Sequence, residues 1–402
     1  MLPGGGVKAH STAEAVARRS YGKLVAFLAA QTCDVAAAED ALSEAFAAAL
    51  ADWPANGCPA NPEAWLLTVA RRKAIVAARR RHDSGFAAVE AIQPESGAEI
   101  PDRRLALLFA CAHPAIDPAV RAPLMLQVVL RLDAKVIGSA FLTSPAAMGK
   151  RLVRAKDKIR RAGIPFRVPE REELSGRLGA VLDAIYAAFT EGWTDPGGTD
   201  VVRRDLTGEA LFLARLIAEL LPEEPEALGL LALMLHAEAR RRARRGPDGE
   251  FVPLALQDQS AWDWQMIAEA EALIRRASLH GVVGRFQLEA ALQSAHVYRC
   301  RTGEANWSEI VRLYDALLAL VGSPVVAVNR ALAVAEVAGA DAGLAALPKL
   351  VEYQPYWAAR AELLSRSGAF VEARHAYEMA IGLERDDTVR AFLLRRQAAL
   401  PG

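Results

Sequence analysis

The chain has 402 residues, 52% of them hydrophobic and 24% charged, with 48 basic and 48 acidic side chains for a net charge of zero. That apolar share excludes an intrinsically disordered chain and supplies core for two or three domains. The four cysteines, Cys33, Cys58, Cys111 and Cys300, show no C-x-x-C spacing, which speaks against a disulfide scaffold or a thiolate metal site and for reduced thiols. No apolar leader opens the chain, and no later stretch of ~18 residues is both apolar and free of charge, so a cytoplasmic protein with no membrane contact is expected. The zero net charge hides an asymmetry. Residues 1–165 hold 22 Lys and Arg against 15 Asp and Glu, a net +7, and the remainder balances it at −7. A basic front and an acidic back imply different partners, or a back half able to contact the front.

Periodicity is helical almost throughout. Alanine and leucine dominate, β-branched runs are short, and no Asn-Gly or Asp-Gly turn lies between strand-like runs, so the predicted fold class is all-α. Residues 11–50 read as two helices with a break near Thr32-Cys33-Asp34. The second, 36–50, carries AEDALSEAF, with Glu39, Asp40 and Glu44 acidic and Phe46 apolar. Residues 52–60, with Trp53, Pro54, Gly57 and Pro59, read as a loop. Asn61-Pro62 then starts a helix in the cap-then-proline manner; it contains Trp65 and ends in Arg71, Arg72, Lys73, Arg79, Arg80 and Arg81. An aromatic segment followed by a cation run suits a phosphate backbone and exposed bases. For Trp65 the alternative is a plain core residue, and for the acidic helix a solvated face. Residues 82–99 read as a linker.

From residue 100 to 165 a compact helical domain is expected, ending in a helix-turn-helix. Its first helix spans about 132–141, with Gly138 weakening it by ~1 kcal/mol relative to Ala. Its second is SPAAMGKRLVRAKDKIRR, 144–161, where Ser144 caps and Pro145 opens the helix. Met148, Leu152, Ala155 and Ile159 share one stripe, and Lys150, Arg154, Lys158 and Arg161 lie opposite, with Arg151 at the edge. Such a helix sits in the DNA major groove, its first turn (Ser144, Ala146, Ala147, Lys150) towards the base edges. A solvated basic face is the plainer alternative.

Residues 166–300 are read as a helical extension, with helices at 177–190, 207–221, 225–245 and 258–277 and a glycine-rich loop at 191–198. His236 with Glu238 reads as a surface or packed pair. The 34 residues 354–387, with Trp357, Ala361, Leu364, Gly368, Ala373, Tyr377 and Ala380, approximate a tetratricopeptide repeat, and residues 301–402 are expected to form a repeat-like array. There is no G-x-x-x-x-G-K, G-x-G-x-x-G or G-x-S-x-G motif, and the seven histidines lack ligand spacing. No enzyme activity, cofactor or metal is expected.

The order of parts (acidic helix, Trp-Pro segment, aromatic-basic helix, linker, helix-turn-helix) resembles the extracytoplasmic-function group of the sigma-70 family. The resemblance covers about residues 11–163, and the remainder resembles a subgroup with a long, tetratricopeptide-like C-terminal extension. It implies sigma region 2 at 11–81 and region 4 at 100–165, with core RNA polymerase and promoter DNA as partners and a possible protein regulator acting through the repeats. Glu39, Asp40, Glu44 and Phe46 would then dock on polymerase. Trp53, Asn61, Trp65, Arg71, Arg72, Lys73, Arg79 and Arg80 would engage the −10 element. Ser144, Ala146, Ala147, Lys150, Arg151, Arg154 and Lys158 would engage the −35 element. One departure is Val76, where the family usually places Asp. The competing readings are a helix-turn-helix regulator with a sensing domain and no polymerase role, and a repeat scaffold whose basic front binds RNA or acidic proteins.

Overall fold

The computed structural model describes residues 4–81, 100–141, 143–193 and 201–401; the expected linker at 82–99 and most of the glycine-rich loop lie outside them. The described residues are helical with no strand, as the all-α expectation holds; their one β-type pairing is an isolated bridge between Arg245 and Phe251. None of these helices is long and apolar enough to cross a membrane. Contacts divide the chain into two compact units, the first holding residues up to 193 together with 201–213, and the second holding 214 onward.

In the first unit, α1 (Gly4–Thr32) and α2 (Val35–Asn56) form a hairpin. Cys33 takes a left-handed φ of 52° at the bend, and Asp34 caps α2 by accepting from the Ala37 amide at 3.1 Å. The expected loop at 52–60 begins later than its breakers suggest, because α2 continues through Pro54 to Asn56 and stops at Gly57, whose φ is 86°. The reason is Trp53. It extends the buried stripe Leu42, Phe46, Ala49 by one more turn and is 1% exposed, so its burial holds the last turn helical. Helix α3 (Pro62–Arg81) starts where Asn61 accepts from the Ala64 amide at 3.1 Å.

Helices α4 (Arg104–Cys111), α5 (Pro118–Leu130), α6 (Ala134–Ala140) and α7 (Pro145–Arg161) follow in the same unit. Helix α1 crosses α5 so closely that a Cβ on Gly22 would lie 2.3 Å from the Val129 carbonyl oxygen. Helix α8 (Arg171–Trp193), expected within the C-terminal extension, packs instead on α4 and α5, with Arg177 donating to the Phe109 carbonyl at 3.3 Å.

Gly138 has a use the sequence did not show. The Thr143 amide donates to the Gly138 carbonyl at 2.8 Å, and a Cβ on Gly138 would stand 2.8 Å from the Thr143 carbonyl oxygen. Glycine lets the turn between α6 and α7 fold back on the helix. Gly138→Ala is therefore expected to lose ~1–3 kcal/mol by overpacking, where helix propensity alone predicts a gain of ~1 kcal/mol. Denaturant unfolding of the full chain separates the two signs.

Helix α9 (Val201–Leu220) spans the division between the units. In the second unit, α10 (Pro225–Ala239) stops short of the expected 245 and passes into a 3₁₀ turn, Arg241–Arg244. Arg240, 9% exposed, bends back to give its Nε hydrogen to the His236 carbonyl at 3.0 Å and its Nη2 hydrogen to Gln293. Helix α11 (Trp264–Ser278) opens under an Asp263 cap, and α12 (Arg285–Thr302) packs with it around α10. Then come α13 (Trp307–Val321), α14 (Pro324–Ala338), α15 (Ala340–Ala346), α16 (Gln354–Arg366), α17 (Phe370–Leu383) and α18 (Asp387–Ala398), each packed on the next. Small residues Ala361, Ala373, Ala376 and Ala380 lie buried where α16 and α17 meet around Tyr377. His236 is no surface residue: its side chain is 0% exposed and faces Glu271, not Glu238.

Candidate nucleic-acid interface

Helix α7 has the two faces its sequence specifies. Ser144 accepts from the Ala147 amide at 3.3 Å, Pro145 occupies the first turn, and Met148, Leu152, Ala155 and Ile159 are the buried residues. Replacing Ser144 by Ala is expected to cost ~1 kcal/mol through loss of this cap, read as a lower unfolding midpoint. On the far side Lys150, Arg151, Arg154 and Lys158 are exposed and have no ion-pair partner among the described residues. Ala146 is also exposed and Ala147 half-buried, so the first turn offers a low surface to an approaching base edge. Arg160 and Arg161 are held back by Asp157 at 2.7 and 2.8 Å. Four free cations on one helix face form an electrostatic footprint for phosphate.

The second expected DNA surface is thinner than its sequence suggests. On α3, Asn61 and Arg72 are exposed and Trp65 is half-buried, whereas Lys73 lies 3.2 Å from Glu44 in a solvated pair that is worth little. Val76, standing where an Asp was expected, is 47% exposed on the same helix. The side chains of Arg79 and Arg80 fall outside the described residues. Two residues placed here by sequence are interior. Trp53 packs edge-to-face on Trp65 with ring centroids 5.5 Å apart, beneath the surface a base would reach. Arg71 is 8% exposed, donates its Nε hydrogen to Gln31 at 3.2 Å and lies over the Phe27 ring at 5.1 Å. Its aliphatic stem suits the core, so it braces α3 against α1.

Residues 16–83 match the family model of sigma-70 region 2. The chain therefore carries a sigma-70 region 2 domain. Residues 177–278 match a family of unknown function (DUF6596). The chain is 38% identical over 372 residues to an uncharacterized protein of Rhizobium meliloti (strain 1021), covering 89% of this chain and 88% of the relative. No solved structure matches. Among the described residues no cluster of three or more His, Cys, Asp or Glu is arranged to hold a metal ion.

Two of the four residues expected to dock polymerase, Glu39 and Phe46, meet α7 and the end of α5. Lys156 of α7 reaches Glu39 of α2 at 2.5 Å, with side chains 12% and 15% exposed. The guanidinium of Arg131, at the left-handed end of α5, lies 5.0 Å from the Tyr21 ring and 5.8 Å from the Phe46 ring. Phe46 is 7% exposed and Glu39 is paired, so neither is a free anchor here; Asp40 and Glu44 are exposed. Burial raises the Glu39 carboxyl above its ordinary range, and this outweighs the opposing pull of Lys156. Taking the ion pair out of water therefore offsets part of what the attraction returns. Since a raised carboxyl pKa favours the closed arrangement at low pH, the contact tightens as pH falls through the carboxylate range. Burial likewise raises Cys111 and Tyr21 beside it.

Nothing in the sequence sets Lys156 apart from the other cations of α7. Arg131 and Tyr21 gave no sequence signal, because their partners lie 85 to 110 positions away in the chain.

Proposed function

We propose that this protein is a sigma factor of the extracytoplasmic-function type, which docks on core RNA polymerase, directs it to particular promoters and opens their −10 region. It does no covalent chemistry of its own. The observation that carries this reading is the joint presence of a sigma-70 region 2 match at 16–83 and a capped helix, α7, that turns four unpaired cations outward. Region 4 is assigned to 100–165 on that basis. Lys150, Arg151, Arg154 and Lys158 would meet −35 phosphates while Ser144, Ala146 and Ala147 approach base edges. Asn61, Trp65, Arg72 and Lys73 form the −10 surface, joined by Arg79 and Arg80 from the end of α3. Asp40 and Glu44 would steer the encounter with polymerase, and Glu39 and Phe46 would join once α7 and Arg131 withdraw.

The back half, with its −7 charge against the +7 front, is read as a cis-acting regulator built on tetratricopeptide-like helix pairs, with 301–402 as the array. The match of 177–278 to a family of unknown function starts within the first unit and runs into the second, so it does not mark the back half as a separate module. A protein partner would act through it, in the cytoplasm where polymerase works.

Run-off transcription with purified core polymerase tests the reading. A promoter-dependent transcript that needs this protein is expected. No transcript on any template mapped from cells that overproduce the protein would sink it. Tight footprinting on duplex DNA without core enzyme would favour the helix-turn-helix regulator instead.

A further inference from the structure

The second unit contains a cavity of about 620 Å³, within the size range of small-molecule sites. Its walls come from distant parts of the chain. Val328 and Leu332 of α14, Ala358 and Ala359 of α16, and Phe392 and Leu393 of α18 give it an apolar lining. One further wall is the strap formed by 251–256, and that strap is tied down. Arg245, paired with Phe251 across the isolated bridge, reaches Asp386 at 3.0 Å and also bonds Thr388 at the start of α18. Phe251 then packs edge-to-face on Phe392, with centroids 5.6 Å apart. Leu256 stays 72% exposed at the cavity, a large apolar side chain left in water beside an apolar hollow.

Charge decides what this cavity accepts. Its only charged lining residues are Glu362 and Arg396, and they are bonded to each other, with the Tyr377 hydroxyl donating to the same carboxylate oxygen at 3.3 Å. The two charges offset each other, so the lining offers a charged ligand no net countercharge, and moving such a ligand from water into an apolar hollow is costly. The remaining polar lining groups are the carboxamides of Asn329 and Gln354, uncharged and without a partner among the described residues. We propose that the cavity between α14, α16, α18 and the 251–256 strap binds a small, uncharged, mainly apolar molecule, whose one polar group hydrogen-bonds Asn329 or Gln354. The site is independent of the sigma-factor reading and stands or falls without it.

The test uses the full chain and two probes that share one aromatic framework. N-phenyl-1-naphthylamine is neutral, and 8-anilinonaphthalene-1-sulfonate carries a fixed negative charge. The neutral probe should bind saturably at one site per chain, at least tenfold tighter than the sulfonate, and raise the melting temperature. Ala358→Trp, which places an indole in the cavity from a half-buried position, should weaken neutral-probe binding at least tenfold while leaving the unmodified melting temperature near that of the parent. Should that variant unfold, Leu256→Gln at the exposed rim is expected to weaken binding severalfold in a folded chain. Four results would overturn the proposal: no saturable binding, equal or tighter binding of the sulfonate, equal binding by the folded variants, or probe binding that falls as the chain dimerises.

Discussion

Lowering the pH from 7 to about 4.5 is expected to strip several kcal/mol from the stability of the second unit. The cause is two histidines held in their neutral form, His236 fully buried and His296 half-buried. Burial, aided by the Arg240 guanidinium, pushes His236 down from 6.5 to about 3, and burial with Arg299 and Arg240 pushes His296 down to about 4. Both rings stay neutral in the folded chain and take up a proton near pH 6.5 once it unfolds. Their contribution is therefore complete above 6.5 and is lost as pH falls from there toward 4 and then 3, each ring removing up to ~1.4 kcal/mol per pH unit. Over two units the pair removes on the order of 5 kcal/mol, comparable with the whole stability of many domains. Glu271 lies 3.6 Å from the His236 ring and also accepts from the Ser294 hydroxyl at 2.6 Å; while the ring is neutral the two form no ion pair. The check is denaturant unfolding followed by tryptophan fluorescence at pH 7, 6, 5 and 4.5. His236→Leu should flatten the acid slope by about half. An unchanged slope in that variant, with the fold intact, would refute the assignment.

Removing Lys156 should open the contact between α2 and α7. Lys156→Met leaves the Glu39 carboxylate largely shielded from water and unpaired, a penalty of ~3 kcal/mol when one partner of a buried pair is lost. The closed state also relies on Arg131 over Tyr21 and Phe46, which the substitution leaves in place. The expected result is faster amide exchange confined to residues 35–56 and 145–161. If the polymerase-docking proposal holds, affinity for core enzyme rises severalfold, since Glu39 comes free. Exchange unchanged in both segments would show that the ion pair does not hold them together. Faster exchange with unchanged affinity would instead place docking elsewhere on the chain.

Which parts of this were legible beforehand follows from the range of the interactions. Helix α7 was readable in full because everything that shapes it lies within one turn or one stripe: the Ser144 cap, Pro145, and the spacing of Met148, Leu152, Ala155 and Ile159. The cap at Asn61 and the break at Cys33-Asp34 are local in the same sense. Pro54 misled because its breaking tendency is local, whereas the burial of Trp53 that overrides it is tertiary. Helix α10 erred the other way. Its helical composition runs on to 245, but Arg240 turns back onto the His236 carbonyl and Gln293, and only the packed structure supplies Gln293.

Sequence by itself determined the all-α class, the two faces of α7, the acidic character of α2 and the cations of α3, since residue type and helical period suffice for each. Tertiary structure alone decided which of those groups are available. It buried Trp53, Arg71 and Phe46, joined Glu39 to Lys156 across 117 positions, and made Gly138 a necessity of the turn. It also gathered the 251–256 strap and three later helices around one cavity. The physical reason is common to all of these. A side chain's chemistry is local, but its exposure and its partner depend on what the rest of the chain folds against it.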